Sequence, residues 1–270
     1  MINFALVESL SAKLRRNPPM LPPFVHDTLK WLRNETVFPF GGTIVSDEEA
    51  EQAAVNPGAG AYAAPVAAAL AGAGGAGILL LFWNIGLPPF AVAAVTLLCL
   101  AAIRGARLES GTVRAGDRLY GQSGIGTVSL LFLMLVEVAA LEGLIAFHAP
   151  SAALVLIVAA VFGSTASIVF RLTQPARPID EIGDTSRVSQ SAALQGLTLV
   201  TVVIGTAILL PVFRIGTTAA AFVGALSAFV AVVAVARHQH KDDVPDCAAA
   251  AGKAAEVATL LAVLAIVRTP

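Results

Sequence analysis

The chain has 270 residues, of which 57% are hydrophobic and only 13% are charged, whereas an ordinary soluble chain is about 25% charged. Its mean hydropathy is +0.80. Because too few polar side chains are present to cover a water-facing surface, the composition excludes a soluble enzyme, a disordered chain and a coiled coil. The net charge of −1 excludes a nucleic-acid-binding protein that acts through bulk basicity. The sequence therefore predicts an all-α, polytopic integral membrane protein in contact with a lipid bilayer.

The N-terminal part, residues 1–63, is polar and is predicted to be a cytoplasmic segment. A Pro-rich stretch at 17–23 follows a short amphipathic pattern at 1–16, which is typical of a helix resting on a membrane or on the protein itself. Residues 64–270 are predicted to form the transmembrane helical domain.

Seven apolar windows lie in the transmembrane domain, each of about 17–23 residues and long enough to cross a membrane as a helix. They cover residues 64–82, 87–103, 125–147, 151–170, 192–212, 217–236 and 248–267. The first, second and last are rich in Ala and Gly, so we expect them to pack against other helices, where small residues allow close approach. The sequence thus predicts about seven transmembrane helices.

The basic residues set the predicted orientation. With the N-terminus in the cytoplasm, only Arg214 and Arg268 lie on the opposite side and Lys253 lies within the last window, while all the other Lys and Arg residues are cytoplasmic. The long loops 104–124, 171–190 and 237–247 are then cytoplasmic as well. Since every acidic residue lies in a window or on that side, the cytoplasmic face is the predicted functional face.

The first long loop contains the residue types that phosphoryl transfer needs. Glycines let a backbone approach a phosphate, Arg104 and Arg107 can pair with phosphate oxygens, and Glu109 and Asp117 can hold Mg²⁺. The Gly-rich stretch 121–127 follows, where backbone N–H groups at a helix start can receive an anion. The alternative for the first segment is a solvated, positively charged loop, and the alternative for the second is a flexible start of a helix.

Ionisable residues in the apolar windows need partners. Glu137 lies in the middle of the third window and Lys253 in the last, so a structural ion pair is favoured over a proton relay. Helical spacing places Asp246, Lys253 and Glu256 on one face of the last helix, which should therefore point into a polar interior. In the loop before it, His238 and neighbouring acids match no standard zinc spacing, so a solvated loop is favoured there.

These segments, in this order, resemble the cobalamin synthase family, polytopic membrane enzymes, from about residue 33 to residue 267. The family's acidic loop, G-A-x-H-E-D-G-L-A-D-x-x-D-G, corresponds to residues 105–117. Five residues match this motif: Gly105, Ala106, Glu109, Gly111 and Asp117. Leu108 stands in place of the family's histidine, and Ser110 and Arg114 stand in place of two of its aspartates.

Three further blocks extend the resemblance. The family's D-S-R-I-G-T-Y-G corresponds to residues 122–129, where Ser123 and Gly126 match, and the family lysine in the following helix corresponds to Glu137. The family's A-R-P-D-G-L-G block corresponds to the segment around Arg177. The family's T-G-D-x-L-G-A-x-Q-Q-x-x-E corresponds to residues 244–256, where Asp246 and Glu256 match and Lys253 stands in place of a glutamine.

The resemblance implies a transferase of the bacterial inner membrane that joins α-ribazole, or its phosphate, to adenosylcobinamide-GDP with release of GMP. It implies Mg²⁺ as cofactor and the corrinoid nucleotide and α-ribazole as substrates, with other enzymes of the cobalamin pathway as further candidate partners. Glu109 and Asp117 would be the catalytic residues. The implied metal ligands are Glu109, Asp117, Asp246 and Glu256, and the implied substrate-binding residues are Arg104, Arg107, Arg177, Gly111, Ser123 and Gly126.

Two alternatives to an active transferase remain open. The replaced acids favour a catalytically impaired paralogue that binds a corrinoid intermediate or scaffolds the pathway at the membrane. Glu137 and Lys253 favour a small transporter, but the collinear family blocks do not.

Overall fold

A computed structural model of the chain describes residues 22–37, 60–173, 185–236 and 244–268. Over these ranges the chain forms helices and turns without a strand, which confirms the all-α prediction. The helices are α1 Pro23–Glu35, α2 Ala64–Asn84 (after a 3-10 turn at Ala61–Ala63), α3 Pro89–Ile103, α4 Arg107–Tyr120, α5 Ile125–Thr173, α6 Thr185–Leu209, α7 Ile215–Ala236 and α8 Val244–Arg268.

By length and composition, five helices of the described ranges can cross a membrane, and six if α3 and α4 form one broken span. The 49-residue α5 would measure about 74 Å if straight, more than twice a hydrocarbon core of about 30 Å. It is interrupted at His148, whose backbone is extended, two residues before Pro150. All seven predicted windows therefore coincide with helical segments, and the polytopic class is confirmed.

The two halves of α5 run in opposite directions along α8. In the first half, Glu137 contacts Lys253, and a methyl group added at Gly143 would contact Leu264. In the second half the order reverses, because Gly163 lies against Glu256 and Ser167 lies against Gly252. The break at His148 thus makes a helical hairpin that packs on α8.

Small residues form the contacts between the central helices, as the Ala- and Gly-rich windows predict. A methyl group at Gly72 of α2 would lie 2.9 Å from the Cβ of Ala160 in α5, so the two helices touch at their backbones. Leu199 of α6 and Val223 of α7 are instead exposed by 66% and 65%, as expected for side chains that face lipid. The bundle therefore has a core of α2, α5 and α8.

The described part of the N-terminal segment packs onto this bundle. Trp31 of α1 is buried, and its indole Nε1 donates a hydrogen bond to the carbonyl of Gly60 at 3.0 Å. The Tyr62 hydroxyl donates to Asp27 Oδ2 at 2.8 Å, and the Val37 N–H donates to the carbonyl of Ile103 at 2.8 Å. The predicted amphipathic pattern at 1–16 lies outside the described residues.

The segment 104–124, predicted as a loop, is mostly helix. After α3 the chain bends by 89°, and α4 occupies Arg107–Tyr120. The physical reason is an apolar stripe at helical spacing, formed by Leu108, Ala115 and Leu119 on the same face as Thr112, which the glycines and arginines of the segment obscure. This bend brings a charged helix against α5 and α8, and it positions the candidate site.

Candidate functional site

A break between α3 and α4 turns charged side chains toward the interior of the bundle. With 15 residues, α3 is only about 22 Å long and is too short to cross the membrane alone. Gly105 and Ala106 both have positive φ, 64° and 50°, and Ala106 is the single non-glycine residue with this conformation in the described ranges. A left-handed alanine costs about 1–2 kcal/mol. The surrounding packing holds this strained turn, and the turn places Arg104 against α8.

Five side chains from α4, α5, α8 and the break form what we call the charged core. Its members are Arg104, Glu109, Glu137, Lys253 and Glu256.

The ammonium of Lys253 lies at the centre of the charged core. Its Nζ is 2.7 Å from Glu137 Oε2, 3.4 Å from Glu109 Oε1 and 3.6 Å from Glu256 Oε2. Arg104 Nη1 donates to the other oxygen of Glu256. All five side chains are at most 12% exposed. Buried charges are tolerated only when they are paired, so this network is what allows α4 to pack inside the bundle.

The predicted pairing of Glu137 with Lys253 is therefore present in the structure. Because the two residues form an ion pair, they give the transport hypothesis no separate support. The position of Arg104 was not predictable from spacing, since 152 residues separate it from Glu256.

A second group of charges lies nearer the start of α8. Arg114 Nε donates to Asp246 Oδ1 at 2.8 Å, and Arg118 Nη1 is 3.0 Å from Asp246 Oδ2. The carboxylate is 8% exposed, whereas the arginine side chains are 56% and 46% exposed. The two guanidinium groups, which we call the arginine fork, thus hold a buried carboxylate while presenting positive charge at the surface of α4.

Asp117 caps the start of α5. Its Oδ1 accepts hydrogen bonds from the N–H groups of Gly124 at 2.9 Å and Gly126 at 2.8 Å. The Gly124 N–H lies directly before α5 and the Gly126 N–H lies in its first turn, where N–H groups have no partner within the helix. Asp117 therefore has a clear structural role, and the Gly126 N–H, predicted to bind substrate, is already engaged by this carboxylate.

Replacement of Asp117 tests the capping role. We expect Asp117→Ala to lower the free energy of unfolding by about 1–2 kcal/mol, or the Tm by about 4 °C, because two amides lose their acceptor. Asp117→Asn should lose less than half as much, since its amide oxygen can still accept. The Tm of the detergent-solubilised protein measures both effects, and equal losses in the two variants would argue against capping.

The four predicted metal ligands lie in three separate surroundings. Glu109 and Glu256 contact Lys253, Asp246 contacts the arginine fork, and Asp117 caps α5. Within the described ranges, no three His, Cys, Asp or Glu side chains are placed to hold a metal ion. These contacts do not fit a resident Mg²⁺, because cations or amides of the chain itself already occupy the carboxylates.

The remaining predicted site residues lie mostly on α4 or close to it. Arg107 is exposed on α4, and Ser123 is exposed in the turn before α5. Gly111 packs against α8, since a methyl group there would lie 2.4 Å from the Cβ of Ala249. Arg177 and the His238 loop lie outside the described residues.

An open cavity of about 290 Å³ lies between α4, α7 and α8, with Ser129 of α5 also at its wall. Its lining is mostly apolar, with Thr112, Tyr120 and Ser129 as the polar-tipped exceptions. Its lining residues Ala115, Leu119 and Cys247 directly follow Arg114, Arg118 and Asp246 along the chain, so the cavity borders the arginine fork. Its position allows one ligand to place an apolar group in the cavity and an anionic group against Arg114 and Arg118.

Together, the fold and this site define a multi-pass α-helical membrane protein with a charged core at a broken helix. The chain is 28% identical over 224 residues to an adenosylcobinamide-GDP ribazoletransferase of Azorhizobium caulinodans, an alignment that covers 77% of this chain and 84% of the relative. This similarity confirms the resemblance to the cobalamin synthase family. No family model and no solved structure matches the chain.

Proposed function

We propose that the protein joins α-ribazole, or its phosphate, to adenosylcobinamide-GDP with release of GMP, at the cytoplasmic face of the bacterial inner membrane. The similarity to a ribazoletransferase over most of both chains supports this reaction class. The observation that carries the proposal is the arginine fork, in which Arg114 and Arg118 bracket Asp246 beside an apolar cavity.

The two parts of the site suit the two parts of the substrates. The cavity between α4, α7 and α8 offers an apolar surface to the aromatic base of α-ribazole, and Tyr120 at its wall can stack on that base. The half-exposed guanidinium groups of Arg114 and Arg118 suit the diphosphate of the corrinoid nucleotide.

The proposed reaction exchanges one bond at phosphorus for another. A ribazole hydroxyl oxygen bonds to the phosphorus that carries cobinamide, its proton passes to water, and the bond from that phosphorus to the bridging oxygen of GMP breaks. GMP leaves with the bonding electron pair. Positive charge from Arg114 and Arg118 would stabilise the negative charge that develops on the leaving oxygen.

The decisive experiment combines binding with turnover. Protein in detergent with adenosylcobinamide-GDP, α-ribazole and Mg²⁺ should release GMP in step with formation of the joined corrinoid, as measured by chromatography. Arg118→Met should weaken adenosylcobinamide-GDP binding by about tenfold, since a charge-assisted hydrogen bond contributes about 1.5–3 kcal/mol. Arg214→Met, an exposed arginine between α6 and α7, is the matched control and should bind as the unaltered protein does.

A non-catalytic role is the second candidate, and the charged core favours it. Cations of the chain engage three of the four acids that the family resemblance assigns to metal binding, namely Glu109, Asp246 and Glu256. Such a paralogue would bind the corrinoid nucleotide with the same dependence on Arg118 but would release no GMP. Absence of both binding and release would contradict both candidates.

A further inference from the structure

In the charged core, three carboxylates surround a cation of the chain itself. Carboxylates from three different helices, Glu109 of α4, Glu137 of α5 and Glu256 of α8, point at one centre. Each has an oxygen within 3.6 Å of that centre. Oxygen ligands converging from several elements are what Mg²⁺ and Mn²⁺ require. Here the centre is occupied by the Lys253 ammonium.

The number of donors and acceptors also favours a cation at this point. An ammonium has three N–H donors, whereas three carboxylates offer six oxygens. Glu109 Oε2 is buried and has no hydrogen-bond partner among the described residues. With Arg104 included, three negative groups face two positive ones, so the core has a formal charge of −1. A divalent ion in place of the ammonium would neutralise it.

We propose that Lys253 is a tethered substitute for a divalent cation, and that its ammonium keeps Mg²⁺ out of the charged core. The carboxylates of Glu109, Glu137 and Glu256 then form a latent cation site, which becomes available when the lysine is replaced by a neutral residue. The proposal concerns the core alone and does not depend on which substrate the protein binds.

The test compares binding of Mn²⁺, a paramagnetic substitute for Mg²⁺, with no substrate present. In the unaltered protein, Mn²⁺ binding measured by electron paramagnetic resonance should not change when Glu109 is replaced by Gln. Lys253→Gln should bind about one Mn²⁺, and its Tm should rise by about 5 °C at a concentration of 100 times the Kd. In Glu109→Gln/Lys253→Gln the gained binding should be lost.

Two controls separate this effect from a general change of charge. Lys253→Arg keeps a cation at the centre, and Lys30→Gln removes a lysine of α1, outside the charged core. Neither should gain Mn²⁺ binding. If Lys253→Gln folds only when Mn²⁺ is present, that result also supports the proposal, because the metal then restores the missing charge.

Three results would overturn the proposal. One is a folded Lys253→Gln protein without Mn²⁺ binding, and another is Mn²⁺ binding by the unaltered protein that Glu109→Gln abolishes. If Lys253→Gln does not fold under either condition, Glu137→Gln/Lys253→Gln keeps two carboxylates and the original formal charge of −1. Binding of Mn²⁺ to that variant supports the latent site, and failure to bind is the third contrary result. Since no substrate is used, failure here leaves the proposed transfer reaction separately testable.

Discussion

Glu137→Lys is expected to prevent folding or to lower the Tm by about 10 °C. In the native protein Lys253 Nζ lies 2.7 Å from Glu137 Oε2, and both side chains are at most 4% exposed. The substitution removes this pair and places a second ammonium beside the first. Breaking a buried ion pair costs about 3–5 kcal/mol, and one kcal/mol corresponds to about 2–4 °C in a chain of this size.

A second substitution should restore most of the lost stability. Glu137→Lys/Lys253→Gln returns one lysine to the core, now on α5, facing Glu109 and Glu256. The core then has two carboxylates and two cations, so its formal charge is zero rather than −1. The family resemblance likewise implies a lysine at position 137 and a glutamine at position 253.

The Tm of the protein in detergent, followed through the fluorescence of Trp31 and Trp83, measures both effects. Glu142→Lys is the matched control, since it makes the same change five residues further along α5 at a half-buried position outside the charged core. It should change the Tm by only a few degrees. If the double variant is no more stable than Glu137→Lys, the lysine cannot be moved from position 253 to position 137, and this prediction is wrong.

The spans were predictable because length and apolarity are local properties of the sequence. Each of the seven windows became a helical segment, and the interruption of α5 lies between the third and fourth windows, at His148. The pairing of Glu137 with Lys253 was also predictable, because buried charges in apolar helices need partners.

The site was predictable only in part, because it depends on one bend. The contact of Arg104 with Glu256 arises from the 89° angle between α3 and α4, which no local pattern specifies. A left-handed Ala106 at that bend is not a residue that sequence statistics would choose. The apolar stripe of α4 was the available signal, and it would have identified a helix but not its depth in the bundle.

Replaced motif residues have partners that a motif comparison cannot show. Arg114 stands where the family resemblance implies an aspartate, so from the sequence it only adds positive charge to a predicted metal site. In the structure it holds Asp246 together with Arg118. Lys253 likewise stands in place of a glutamine and contacts three carboxylates. The substitutions therefore form a consistent set, in which cations of the chain contact three of the four retained acids.

Gly126→Ala is expected to lower the Tm by about 10 °C or to prevent folding. A methyl group on this residue would lie 1.9 Å from the carbonyl oxygen of Val113 and 2.9 Å from the backbone nitrogen of Asp117. Backbone atoms cannot rotate away as a flexible side chain can, so α4 would have to move off the start of α5. Overpacking in a well-packed interior costs about 1–3 kcal/mol when side chains can adjust, and a backbone clash should cost more.

We expect Gly126→Ala to disturb the candidate site as well as to lower the stability, because α4 carries the charged residues nearest this contact. If α4 moves, Asp117 loses the two amides that it caps, and Arg114 and Arg118 shift relative to Asp246 on α8. We therefore expect whatever Gly126→Ala protein folds to bind adenosylcobinamide-GDP more weakly as well.

Gly77→Ala provides the matched control for this glycine. It makes the same change in the interior of α2, where the added methyl group meets no atom within 4 Å. Because alanine favours a helix over glycine by about 0.5–1 kcal/mol, Gly77→Ala should leave the Tm unchanged or raise it slightly. Equal Tm values for the two variants would show that the close approach of α4 to α5 does not limit stability. A large difference would show that the close approach of α4 to α5 is needed for stability.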